Sequence, residues 1–237
     1  MKLEYPKLGF SEMPRSADEL GVRSSAALDQ GIVRRQIECD ENDIVLATPS
    51  QKRLWYLEKI TQNVGGHNIQ SCFQLKGSFD EGRLTSCLQM MVDRHQVLRT
   101  AIVDQKGTPA QRIEKTIPFQ ITHLDLAPYK AALLEEKIKS ALEDLVLAPF
   151  DLAVAPLWRF TLIRTDSDEF LLSLVFHNII YDGFSEQVFI RELSSIYGSY
   201  DLENVGALGL PDLQFADFAI WQDKWIDTVE YLSLIHI

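Results

Sequence analysis

The sequence holds little that would direct it to nucleic acid, a membrane or a metal ion. Lys and Arg number 23 against 34 Asp and Glu, a formal net charge of −11. Nucleic acid and anionic membrane both reward a basic surface, so neither is expected as a partner. Cys39, Cys72 and Cys87 make an odd count without C-x-x-C spacing. Small buried thiols in a reducing compartment suit that pattern better than a disulfide or zinc framework. The longest apolar runs, such as FLLSLVF at 170–176, are far too short to span a bilayer. MKLEYPKLGFSEMPRSADEL at the start has no apolar signal-peptide core, so a soluble, cytoplasmic chain is expected. H-x-x-x-H, G-x-G-x-x-G and P-loop patterns are absent. Gly183-Phe184-Ser185-Glu186-Gln187 lacks the last glycine of G-x-S-x-G. There is no internal repeat and no low-complexity tract.

What is there suits a globular chain. With 237 residues and a hydrophobic fraction of 46%, it can bury a sizeable core. Residues 1–43 are polar and weakly periodic, and read as a leader or linker. From Thr48 the signals sharpen: Thr48 suits an N-cap, Pro49 the first helical position, and Gln51 can complete a capping box. Leu54, Leu57 and Ile60 then fall on one helical face. IQSCFQL (69–75) alternates as a half-buried strand, with Ile69, Phe73 and Leu75 on one side. Residues 80–95 return to helical spacing through Leu84, Leu88, Met91 and His95. LRTAIVD (98–104) and AQRIE (110–114) read as a hairpin, and FQITHLD (119–125) as a further strand.

KAALLEEKIKSALEDLV (130–146) is an amphipathic helix with Leu134, Ile138, Ala141 and Leu145 inward. LWRFTLIRT (157–165) and FLLSLVF are strong strands joined by the charged turn DSDE. A helix over about 185–197 and another over 215–225 follow. Trp55, Trp158, Trp221 and Trp225 sit in periodic segments and suit a core better than a ligand platform. Hairpin links beside helices predict an α+β protein with a mixed sheet.

VFHNIIYDGFS (175–185) is the segment where chemistry would collect. His177 ends a strand that is apolar on both faces, Gly183 permits a tight turn, and Ser185 can cap the next helix. Strand-end loops are rigidly held yet exposed. On spacing alone, a core histidine bonded to a backbone carbonyl remains the favoured alternative. A metal site needs three or four converging ligands, and His177 with Asp182 supplies two, so no metal is expected. Asp182 could equally be a solvated turn residue before glycine.

Several segments together resemble one family. SQKRLWYL (50–57) is similar to S-x-A-Q-x-R-L-W-x-L, and RHQVLRT (94–100) to R-H-E-x-L-R-T with Gln96 in place of Glu. PFDLAVAPLWRFTLI (149–163) resembles the lead-in to a central strand. HNIIYDGFS (177–185) resembles H-H-x-x-x-D-G-x-S, and FADFAIWQ (215–222) resembles Y-x-D-(Y/F)-A-x-W-Q. In this order, over roughly residues 44–225, they resemble the condensation domains of nonribosomal peptide synthetases, within the chloramphenicol-acetyltransferase-like superfamily.

The resemblance implies a chloramphenicol-acetyltransferase-like two-layer lobe, a mixed sheet packed with helices, over residues 44–205. Residues 206–237 would begin the crossover to a second lobe that this chain lacks. It implies amide (peptide) bond formation between a carrier-bound acyl or peptidyl thioester and an aminoacyl thioester. Phosphopantetheine arms would come from peptidyl or acyl carrier proteins beside adenylation domains, and no cofactor would be bound by the domain itself. The motif's second histidine, which usually carries the chemistry, is here Asn178, so an impaired acyltransferase is expected. Strand alternation would turn His177 inward and Asn178 outward. Asp182, with Gly183, would fix the loop by pairing with Arg99 or, second, Arg94. The alternatives are a non-catalytic recruitment domain for carrier proteins or tailoring enzymes, and an ester-forming or epimerising relative.

Overall fold

The computed structural model describes residues 2–4, 43–61, 65–76, 80–198 and 211–226. Its frame is a five-stranded sheet, in the order β1 (Lys2–Glu4), β3 (Asn68–Lys76), β8 (Phe170–His177), β7 (Trp158–Arg164), β6 (Thr122–Asp125). Pairings are antiparallel except β6 with β7, which is parallel, so the sheet is mixed. A second, antiparallel sheet has the order β2 (Asp43–Leu46), β5 (Thr108–Ile113), β4 (Thr100–Gln105). Lys2–Glu4 therefore join the sheet, at the start of a segment whose sequence reads as a leader. The remainder of residues 1–42 lies outside the described residues, as do Cys39 and residues 227–237.

β8 is the central strand, and seven of its eight residues, from Leu171 through His177, are buried. A strand covered on both faces needs a continuous apolar run rather than alternation, which is what FLLSLVF supplies. Against one face, Leu172, Leu174 and Phe176 pack with Phe160 on Leu84, Leu88 and Met91 of α2 (Glu81–Arg94) and Phe189 and Leu193 of α4 (Gly183–Gly198). Another cluster joins Leu171, Ile163 and Cys72 to Ile138 and Leu142 of α3 (Ala131–Leu147), with Leu134, Ala141 and Leu145 half-buried beside them. α5 (Phe215–Ile226) lays Ala216 on Val45 and Ile113 of the smaller sheet.

The helix α1 (Pro49–Thr61) departs from its apolar pattern. Its buried residues are Gln51, Trp55 and Glu58, whereas Leu54 and Leu57 are half-buried and Ile60 is 75% exposed. The inward face carries two polar side chains: Gln51 is held by the loop after β8, and Glu58 by His177 at the end of that strand and by His67. At the entry the capping box forms as expected: Gln51 N–H donates to Thr48 Oγ1 at 3.2 Å, and Thr48 N–H to Gln51 Oε1 at 3.0 Å.

The α4 start also differs. The helix opens at Gly183, and its cap is the Asp182 carboxylate, which accepts from Ser185 N–H at 2.8 Å and from Ser185 Oγ at 2.6 Å. Ser185 is thus the capped residue rather than the cap. The described glycines with left-handed φ are Gly65 and Gly107, so Gly183 serves as a helix start rather than a left-handed turn.

Burial pushes the Cys72 thiol up to about 12 and, against a lowering by Arg83, that of Cys87 up to about 11. Thiolate is the reactive form. Peptide mass mapping after treatment of native protein with a maleimide at mildly alkaline pH is expected to find both unmodified. Both should label once guanidinium is added. Labelling without denaturant would show that the β3–α2 core opens readily.

Candidate functional site

β8 carries its polar group into the site by register. Asn68 of β3 stands opposite His177, and the His177 amide donates to Leu157 O at 2.9 Å. Sheet pairing thus continues to the last residue of the strand and fixes the direction of its ring. His177 is fully buried, beside the Phe150 ring, while Asn178 is exposed. The inward and outward orientations follow strand alternation. Beyond Asn178 the chain turns: Ile180 N–H donates to His177 O at 3.1 Å, and Tyr181 stacks on Phe176 with ring centroids 3.8 Å apart.

The partners of His177 define its state. Its Nδ1 accepts the Ile179 backbone N–H at 3.1 Å. A ring nitrogen that accepts carries no proton, so the neutral ring bears hydrogen on Nε2. That N–H donates to Glu58 Oε1 at 3.1 Å. His177 is therefore a core histidine held by a carboxylate and a backbone amide, not by the backbone carbonyl that its sequence context suggests. Burial lowers its pKa, and the neighbouring Glu58 opposes that shift without cancelling it. With one nitrogen protonated and the other occupied, the ring offers no lone pair to a substrate.

Glu58 and His67 are site residues that the sequence patterns missed. The Glu58 carboxylate, 5% exposed, accepts His67 Nδ1–H at 2.6 Å on the same Oε1. Its Oε2 has no hydrogen-bond partner among the described residues. His67 is carried on a turn that Gly65 makes possible. Gly65 has φ +73, and a Cβ there would lie 2.2 Å from Leu147 O, so no other residue fits. Asn68 then clamps the turn to the end of α3, donating to Val146 O and Ala148 O. The one available sequence signal was spacing: Gln51 and Glu58 lie seven residues apart, two turns along one helical face.

Ligand atoms of Glu58, His67 and His177 lie within 4.8 Å of one another. This donor set does not suit a metal ion while Ile179 N–H holds His177 Nδ1, because coordination through Nε2 would demand an imidazolate. Glu58 also lines a cavity of about 490 Å³ with Trp55, Lys59, Asp104, Phe150 and others; Asn178 is not in its wall.

The arginines are scaffold, but not for Asp182. Arg99 is 7% exposed and donates to the backbone carbonyls of Val92, Asp93, Glu114 and Lys115. Two of those carbonyls lie in the last turn of α2, where a cation also favours the helix dipole. Arg94 Nε donates to Glu192 Oε2 at 2.9 Å, tying α2 to α4. The expected Asp182–arginine pairing is thus replaced by a local cap. A carboxylate at Asp-Gly-x-Ser has an amide three residues ahead within reach and needs no distant cation.

Two outcomes test this arrangement. Asp182→Ala is expected to lower stability by about 1 kcal/mol in urea unfolding, and Asp182→Asn to recover most of it, since Asn caps but cannot form an ion pair. An Asn variant as weak as the Ala variant would point back to an ion pair. For His177, a folded-state pKa below the unfolded value of about 6.5 means that the unfolded chain takes up the proton first. Its contribution is complete above about pH 6.5 and is lost as pH falls through the folded value. His177→Gln should flatten that part of the stability–pH curve; equal acid slopes in both proteins would contradict it.

The comparisons with known proteins agree with this frame. A profile of the Condensation domain matches residues 41–232. Tyrocidine synthase 3 of Brevibacillus parabrevis is 33% identical over 231 residues, 98% of this chain and 3% of that protein. The X-domain solved in complex with OxyB from teicoplanin biosynthesis aligns with TM-score 0.66 and 27% identity, over 82% of this chain and 41% of the solved chain. The first condensation domain of the calcium-dependent antibiotic synthetase, solved with a substrate analogue, shares the fold. Its TM-score is 0.66 and its identity 16%, over 81% of this chain and 45% of the solved one. The chain therefore spans less than half of these solved chains and a few per cent of the synthetase. Because the matched residues run from β2 through α5 and take in every motif segment, the chain belongs to the condensation domain family.

Proposed function

We propose that residues 44–205 form the N-terminal lobe of a condensation domain, with residues 206–237 leading towards a second lobe, and that the complete domain makes amide bonds slowly. Carrier proteins, alongside adenylation domains, would present a donor acyl thioester and an acceptor aminoacyl thioester on phosphopantetheine arms. The acceptor amine attacks the donor carbonyl, a C–N bond forms and the C–S bond breaks. The donor arm leaves as a thiol, carrying the proton that the amine gives up.

The observation that carries this reading is the exposure of Asn178 at the end of the central strand, with His177 turned inward. The Asn178 carboxamide can accept a hydrogen bond from the amine and hold it, but has no lone pair that titrates near neutral pH. Loss of a positioned acid–base group costs on the order of 10²–10⁴ in rate. His177 cannot substitute, because its Nδ1 is bound to Ile179 N–H and its Nε2 is protonated.

The second reading is recruitment without catalysis. It draws support from the likeness to an X-domain solved in complex with OxyB, and from the absence of a titratable group at position 178. Single-turnover condensation by the complete domain, with acyl- and aminoacyl-loaded carriers, separates the two. Asn178→His is expected to raise amide formation by about 10²-fold or more. Carrier binding without product in both proteins would favour recruitment. An ordinary rate with Asn178 in place would overturn the mechanism.

A further inference from the structure

We infer that Glu58 is the positioning residue of this site, setting the direction of the Asn178 side chain through the two backbone amides that flank it. The inference rests on the reading that residue 178 faces the substrates. Two paths leave Glu58 Oε1. One runs through the His177 ring, whose Nε2–H it accepts and whose Nδ1 holds the Ile179 N–H. The other runs through His67, whose Nδ1–H it accepts and whose carbonyl accepts the Asn178 N–H at 2.8 Å. The peptide groups before and after Asn178 are thus both fixed by residues that one carboxylate orders. Gln51, on the same face of α1, donates from Nε2 to Ile179 O at 3.2 Å and holds the next peptide as well.

Packing alone does not account for a carboxylate here. Glu58 is 5% exposed, and its Oε2 has no partner among the described residues. A leucine would fill the same space without a desolvated, half-satisfied carboxylate. Replacement of a buried polar group by an apolar one is often tolerated by the fold, which allows positioning and stability to be measured apart. The acceptor is what matters: glutamine keeps one oxygen but cannot accept from both rings with equal strength, and leucine accepts from neither.

The test compares Glu58→Gln and Glu58→Leu with the parent in the complete protein, by amide hydrogen exchange and proton NMR. The parent is expected to show a downfield, slowly exchanging His177 imidazole N–H, weakened in the Gln variant and absent from the Leu variant. Exchange at the Asn178 and Ile179 amides should accelerate by at least about ten-fold in Glu58→Leu, with Leu172 and Leu174 of β8 unchanged. Equal acceleration along all of β8 would mean that Glu58 is merely structural, and unchanged exchange at 178 and 179 would also overturn the inference. In an Asn178→His background, Glu58→Leu should lower kcat for condensation by on the order of 10²-fold with KM for the loaded carriers unchanged. Local exchange that responds while neither background forms product would sustain the positioning role and sink the condensation reading.

Discussion

One buried carboxylate holds two imidazoles beneath the end of the central strand, and the geometry of the candidate site depends on it. Glu58 Oε1 accepts from His67 and His177 in the space between α1, the 65–67 turn and β8. Strand register and this contact lock each other. Asn68 pairs with His177, so the ring is inward only in that register. A slip of one residue would send Asn178 into the core, expose the imidazole and leave the Glu58 carboxylate without its second donor. The cost of an unsatisfied buried charge therefore adds to apolar packing in selecting the register.

The motif segments outside the loop serve that placement mechanically. Trp158, at the start of β7, donates its indole N–H to Leu98 O at 2.8 Å. Leu152, in the segment before β7, accepts from Ile102 N–H at 2.6 Å. Arg99 gathers four backbone carbonyls from the end of α2 and the stretch after β5. Gln214 donates to Arg94 O and accepts from Gln96 N–H, joining the start of α5 to the same corner. In this chain these segments are accordingly scaffold. The candidate site lies apart from them, at the end of β8.

Much of the fold was legible because its elements obey simple periods. The continuous apolar run of β8, the hairpin of β4 and β5, and the inward stripe of α2 at Leu84, Leu88 and Met91 lie where the sequence places them. Reading failed where polar groups are buried. On α1 the leucines drew attention to one face, while Gln51 and Glu58 occupy the interior because the turn at 177–179 supplies their partners. Those partners lie some 120 residues away in sequence, and no local pattern encodes them. Asp182 shows the opposite error: a distant arginine was expected where the amide of Ser185, three residues on, satisfies the carboxylate.

The same contrast between buried and exposed positions bears on the chemistry. Burial depresses the His177 pKa, and hydrogen bonds occupy both ring nitrogens, so proton transfer there would require breaking the contacts that hold the loop. Asn178, exposed one residue later, is under no such constraint. Its carboxamide offers a hydrogen-bond acceptor without basicity. The buried contacts of Glu58, His67 and His177 fix the backbone on both sides of residue 178, and the side chain exposed there is a carboxamide that cannot take a proton near neutral pH.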